Sequence, residues 1–138
     1  INWPPGTHAS TFGGNPVACA ASLATLKLLR EGLVTNAETV GAHMLAGAKA
    51  LMEKHPLIGD VRGRGLMIGI ELVRDRQTKE RAVRERDRVV HECFKRGMLV
   101  LGAGQNAIRF APPLVLTKGQ ADTALAILDQ ALTSVEGT

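Results

Sequence analysis

The sequence predicts an α+β fold, a two-layer arrangement in which a small, mainly antiparallel sheet is covered by helices. Three observations carry this expectation. Four stretches place apolar residues at helical spacing, and one central stretch alternates with a period of two. The elements follow in the order helix, helix, strand or hairpin, helix, two strands, helix, which suits helices packed on one face of a sheet.

Residues 2–6 contain Trp3-Pro4-Pro5 and read as extended chain. Next comes His8-Ala9-Ser10-Thr11-Phe12-Gly13-Gly14-Asn15-Pro16. Here two hydroxyls stand side by side, two glycines follow, and Asn15 and Pro16 suit the N-cap and first position of a helix. Hydroxyls and exposed N–H groups at a helix mouth suit a phosphate or a carboxylate. A tight turn with a well-made cap would use the same residues. The first helix is expected from Pro16 to about Arg30, with Gly32 as its stop. Val17, Ala20, Ala21, Leu23, Ala24, Leu26, Leu28 and Leu29 leave it little polar face, so it is expected to be buried.

A capping box, Thr35-Asn36-Ala37-Glu38, opens the second helix. Val40, Met44, Ala48 and Leu51 form its stripe, Leu45 and Met52 lie beside it, and Pro56 ends it. Leu66 to Val73 is the clearest strand. Leu66, Ile68, Ile70 and Leu72 share one face, and Met67, Gly69, Glu71 and Val73 the other. Val61 to Arg64 reads as its partner or lead-in. Gly63-Arg64-Gly65 with Gly69 is no dinucleotide fingerprint, because these glycines precede a strand instead of opening a helix.

The third helix is expected over about Arg81 to Arg96, burying Val83, Val89, Val90, Cys93 and Phe94. Glu80–Arg84, Arg81–Glu85 and Arg88–Glu92 would pair on its wet side. Gly97 ends it. Met98 to Leu101 and Ala107 to Phe110 read as two strands around a turn at Gly102 to Asn106, cut off by Pro112-Pro113. A second capping box, Thr117-Lys118-Gly119-Gln120, starts the last helix, which carries Ala121, Ala124, Leu125, Leu128, Ala131, Leu132 and Val135 on one side. Glu136-Gly137-Thr138 reads as a loose tail.

Composition narrows the function. The net charge is +4, and Arg74 to Arg88 holds seven Lys/Arg against four Asp/Glu. Acids interleave these bases and no aromatic lies among them, so the stretch reads as a solvated face and nucleic acid is not expected. No apolar run reaches membrane-spanning length, and no secretory leader is visible. Cys19 and Cys93 fall in predicted helices without a CxxC partner, which suits reduced, buried thiols in a cytoplasmic protein. His8, His43, His55 and His91 show no metal-ligand spacing, so no metal is expected. A chain that begins at Ile1 and runs almost directly into a functional-looking motif reads as part of a longer protein.

Arg109 lies between Ile108 and Phe110. Alternation sends those two to the core and Arg109 to the opposite face. A guanidinium held on a strand can grip a carboxylate bidentately, and on spacing alone it can equally be a structural arginine.

As a string, residues 8–21 resemble the segment after the catalytic lysine in class III (ornithine/4-aminobutyrate type) aminotransferases, pyridoxal-phosphate enzymes of fold type I. The resemblance continues through Gly59-Asp60-Val61-Arg62-Gly63-Arg64-Gly65-Leu66-Met67-Ile68-Gly69-Ile70-Glu71-Leu72. It ends with Ile108-Arg109-Phe110-Ala111-Pro112-Pro113-Leu114 and the final helix. These three ordered blocks cover nearly the whole chain. The resemblance implies that residues 33–138 are the family's C-terminal small domain, and that residues 1–32 are a loop and helix linking it to a large domain.

It further implies that Thr11, assisted by Ser10, reaches the phosphate of pyridoxal 5'-phosphate from the neighbouring subunit of a homodimer. Arg109 would grip the α-carboxylate of an amino-acid substrate. The family's Schiff-base lysine would fall upstream of Ile1, and none of Lys27, Lys49, Lys54, Lys79, Lys95 or Lys118 has a site around it in the sequence. The chain alone is therefore expected to have no catalytic residue, no transaminase chemistry and no hold on the cofactor. The full-length enzyme would move an amino group from 4-aminobutyrate, ornithine or a related ω-amino acid to a 2-keto acid. Two alternatives are an amino-acid racemase of the same family and a non-enzymatic basic interaction module.

Overall fold

The computed structural model describes residues 2–137, which form two compact units divided between Leu33 and Val34. In the first unit, α1 spans Pro16–Leu28. Asn15 caps it, its Oδ1 accepting from the amides of Val17 (2.9 Å) and Ala18 (3.2 Å). Pro16 fills the first helical position, as the sequence reads. One wide helical turn, Leu29–Leu33, follows and kinks at Gly32, so Gly32 is not the simple stop expected of it. The expected burial of α1 is not observed. Val17, Leu23, Leu26 and Leu28 are exposed and no residue of the helix is buried. A helix apolar nearly all round needs cover on every side, and residues 2–33 supply none.

The second unit is the predicted α+β layer. Its elements are α2 (Val34–Lys54), β1 (Ile58–Arg64), β2 (Met67–Asp75), β3 (Glu80–Arg81), α3 (Val83–Lys95), β4 (Leu101–Ala103), β5 (Ala107–Phe110) and α4 (Lys118–Glu136). The sheet is antiparallel in the order β1-β2-β5-β4, and β3 pairs with the far end of β2. On one face α2 packs against β1 and β2, α3 against β2, β4 and β5, and α4 against both helices. The core between them holds Met44, Ile68, Ile70, Leu72, Val89, Ile108, Leu128 and Leu132.

Several elements differ from expectation for local reasons. α2 begins at Val34, ahead of the Thr35 box, and Asn36 is used otherwise: its amide donates to the carbonyls of Leu114 (2.7 Å) and Leu116 (3.0 Å). The turn Gly65-Leu66 joins β1 to β2, with Gly65 at φ 54°. Glu80 and Arg81 lie on β3 instead of α3, and Glu80 and Glu85 are both taken by Arg74 (2.9 Å each). On α3, Val89 and Cys93 are buried, whereas Val83 and Phe94 are exposed. At about 100° per residue, Val83 and Phe94 lie roughly 120–140° round the helix from Val89. The expected strand at Met98 starts only at Leu101, because the amide of Met98 still donates to the Cys93 carbonyl (3.0 Å) at the end of α3. Cys93 is buried as expected and Cys19 is exposed.

The predicted box at Thr117 and Gln120 forms reciprocally. The expected loose tail is anchored instead. Glu136 ends α4, accepting from His55 Nδ1 (2.6 Å) and from the amide of Leu57 (3.0 Å), while Thr138 lies outside the described residues. His55, 2% exposed, also faces Asp129 through Nε2 (2.6 Å), and Lys54 holds the same carboxylate. From below, Arg76 donates to the carbonyls of Met52, His55 and Ile58. The bend between α2 and β1 is thus tied by charge-assisted bonds from two directions, which fixes where β1 enters the sheet.

Candidate functional site

The helices cover one face of the sheet and leave the other open. Strand alternation sorts the residues between them. Val61, Ile68, Ile70, Ile108 and Phe110 face the core, while Arg62, Arg64, Met67, Gly69, Glu71 and Arg109 take the open side. The register aligns Arg62, Gly69, Arg109 and Leu101 in one row across four strands.

A pocket of about 620 Å³ opens over this row, lined among others by Arg62, Arg64, Met67, Gly69, Ala103 and Arg109. Its floor is Gly69. A Cβ there would meet only the Arg62 carbonyl oxygen, at 3.9 Å, so the space above it is open. Glycine inside a central strand weakens it and often marks a close approach by a ligand.

Arg109 is exposed on this face, and among the described residues it has no ion pair or side-chain hydrogen bond. Arg62 differs. Its guanidinium donates to Asp60 and, at 3.0 Å, to Glu71, and these two carboxylates push its already high pKa further up. Glu71 is also approached by the amide of Asn106 (3.4 Å), which is buried and donates to the Leu72 carbonyl (2.6 Å). The open face therefore presents a neutralised arginine on one side of Gly69 and an unneutralised one on the other.

In the first unit, Ser10 and Thr11 sit side by side on an exposed loop. Neither hydroxyl has a partner among the described residues, and the Ser10 carbonyl accepts from Gly13 (3.2 Å). The amides of Val17 and Ala18 are already bound by Asn15. An anion here would meet two free hydroxyls, and not the helix mouth that the sequence suggested. These free donors fit a phosphate oxygen. His8 stacks on Trp3, with ring centroids 5.8 Å apart. Arg109 belongs to the second unit.

Sequence reasoning singled out Ser10, Thr11 and Arg109 but missed Arg62, Gly69 and Glu71. The signal was present in part. Glu71 is the one acid in the apolar run Leu66 to Val73, and Gly69 shares its face. Their neighbours across the sheet required the register. Three arginines of the basic stretch 74–88 are engaged within the chain: Arg74 with Glu80 and Glu85, Arg76 with backbone carbonyls, Arg86 with Asp87 (2.8 Å).

Comparison with known proteins identifies the family. The family described as aminotransferase class III matches residues 2–132. The chain is 45% identical over 130 residues to the isoleucine 2-epimerase of Lentilactobacillus buchneri, covering 94% of this chain and 29% of that protein. It is 45% identical over 127 residues to the acetylornithine aminotransferase of Gloeobacter violaceus, covering 91% and 30%. An amine transaminase from an uncultivated Pseudomonas species, solved in a PLP-bound form, matches with a TM-score of 0.85 at 38% identity, over 93% of this chain and 30% of that one. The chain spans about 30% of the length of the curated relatives it matches.

Proposed function

Because this chain belongs to the class III aminotransferase family, we propose that it serves as the C-terminal small domain, with its linking loop and helix, of a pyridoxal-phosphate-dependent aminotransferase. The observation that carries the reading is Arg109, an unpaired guanidinium on the open face of the sheet beside bare Gly69. Its planar fork suits a substrate α-carboxylate. Holding the carboxylate there orients the substrate, which converts binding into positioning of the reacting carbon. Ser10 and Thr11 donate to the cofactor phosphate. Pyridoxal phosphate, when bound, supplies the electron sink for bond breaking at the substrate Cα.

In this reading the Schiff-base lysine belongs to the part of the enzyme that this chain does not span. Lys54 is committed to Asp129 and Lys95 to Glu92. By itself the chain would carry no transaminase chemistry and hold no cofactor. The family resemblance adds a cytoplasmic homodimer in which Thr11 serves the neighbouring subunit's phosphate. An ω-amino acid such as 4-aminobutyrate or ornithine would donate, and a 2-keto acid would accept. A second reading, racemisation at Cα, is favoured by the 45% identity to an isoleucine 2-epimerase. Incubation with and without a keto acid separates the two, because only transfer consumes it.

The test of the first reading is Arg109→Lys and Arg109→Ala in the complete enzyme that carries this chain. Lysine keeps the charge and loses the fork, and alanine loses both. For α-carboxylate substrates, alanine should lower kcat/KM by about 2–4 kcal/mol, the scale of a truncated charge pair in a closed site, and lysine by less. Amines lacking that carboxylate should change far less. Retention of the carboxylate preference by Arg109→Ala would refute the assignment.

A further inference from the structure

We propose that Arg62 is a positioning residue that keeps Glu71 off Arg109, so that Arg109 stays free for the substrate carboxylate. The inference rests on the reading of Arg109 given above. The register places Gly69 directly opposite Arg62 on one side and Arg109 on the other, and places Glu71 two residues further along the same face of β2. Glu71 is therefore the diagonal neighbour of both arginines. Diagonal Cβ atoms lie about 7–8 Å apart or somewhat less, within reach of a glutamate and an arginine side chain. Gly69 puts no side chain between Glu71 and either arginine.

One carboxylate thus has two candidate guanidinium partners, and the structure shows which one holds it. Arg62 binds Glu71 at 3.0 Å and draws in Asp60 as well, while the amide of Asn106 reaches the second Glu71 oxygen at 3.4 Å. Without Arg62, Glu71 would keep only the long contact from Asn106. Arg109, diagonal to Glu71 across Gly69 and without an ion pair among the described residues, would then be open to it. A carboxylate belonging to the protein would compete with the substrate's own, raising KM for carboxylated substrates without altering the chemical step. Arg62 does not touch the substrate in this scheme. It acts by occupying Glu71.

The experiment uses the complete enzyme with Arg62→Met, Glu71→Gln, the double variant and Arg109→Ala. Each is assayed with an α-carboxylate amino acid and with an amine that lacks the carboxylate. Arg62→Met should raise KM for the amino acid roughly three- to five-fold, the scale of a partly exposed ion pair, and leave kcat and the amine kinetics unchanged. The double variant should return KM to within about two-fold of the parent, because Glu71 is then no longer an anion. A purely structural role for Arg62 would not be rescued by removing the charge of Glu71. An unchanged KM in Arg62→Met, or a raised KM that persists in the double variant, overturns the proposal while leaving the role of Arg109 intact. If Arg109→Ala leaves the carboxylate preference untouched, the underlying reading falls and this proposal falls with it.

Discussion

Replacing Gly41 by alanine sets two physical effects against each other, and the structure decides the sign. Gly41 is buried in the middle of α2. Helix propensity alone favours alanine there by about 1 kcal/mol. A Cβ at Gly41, however, would stand 2.2 Å from the carbonyl carbon and oxygen of Gly65 and 2.7 Å from its Cα. Ordinary carbon contacts begin near 3.5 Å, so helix and turn must separate by roughly 1.3 Å. The neighbour is backbone in a two-residue turn with φ at 54°, not a side chain that can swing aside. Overpacking costs typically about 1–3 kcal/mol, and this contact belongs at the upper end. The expected net loss is therefore about 2 kcal/mol. Gly119 is the control. It lies in α4 with nothing within 4 Å of its would-be Cβ, so Gly119→Ala should stabilise by about 0.4–1 kcal/mol. Urea denaturation followed by far-UV circular dichroism reads both, since Trp3, the one tryptophan, is exposed in the other unit. A Gly41→Ala chain that unfolds at the same or higher urea concentration than the parent would refute the argument.

Two further outcomes follow from charge and burial. Lys95 (2.8 Å) and Arg96 hold the Glu92 carboxyl down from the ordinary 4.5 to about 2. A depressed carboxyl contributes stability that is complete above about pH 4.5 and lost as pH falls through about 2, so Glu92→Gln should flatten the acid limb of a stability–pH profile in that window. Burial pushes the Cys93 thiol up to about 11, while Cys19 is exposed. At pH 8 a disulfide reagent should titrate one thiol in the native chain and two in denaturant, and rapid reaction of both natively would contradict the buried position of Cys93.

Much of this fold was legible because its signals are local. The period-two run in β2, the cap at Asn15 and the box at Thr117 each depend on residues within a few positions of one another. What escaped depends on distant partners. His55 pairs with Asp129 and Glu136, more than seventy residues away, so nothing near it marked it as a buried tie. Asn36 looked like part of a cap and instead holds the carbonyls of Leu114 and Leu116. The apolar character of α1 was read correctly, but burial also needs a covering surface, and residues 2–33 do not provide one.

The open face shows the same division on a finer scale. Alternation in β5 was enough to separate Arg109 from Ile108 and Phe110. The same rule applied to β1 fails, because strict alternation would put Ile58 and Arg62 on one face. The structure places an irregularity between Ile58 and Asp60, where Ile58 pairs with Leu72 and Asp60 with Glu71. One extra residue, Gly59, is inserted there, and a Cβ on it would press within 2.6–2.8 Å of the Val73 methyls. A bulge shifts the alternation by one residue. Ile58 can then join Val61 in the core while Asp60, Arg62 and Arg64 turn to the open side. Without that insertion, burying Ile58 would carry Arg62 into the core with it, and Arg62 could not meet Glu71. The residue that keeps Arg109 free thus owes its orientation to a glycine three positions earlier.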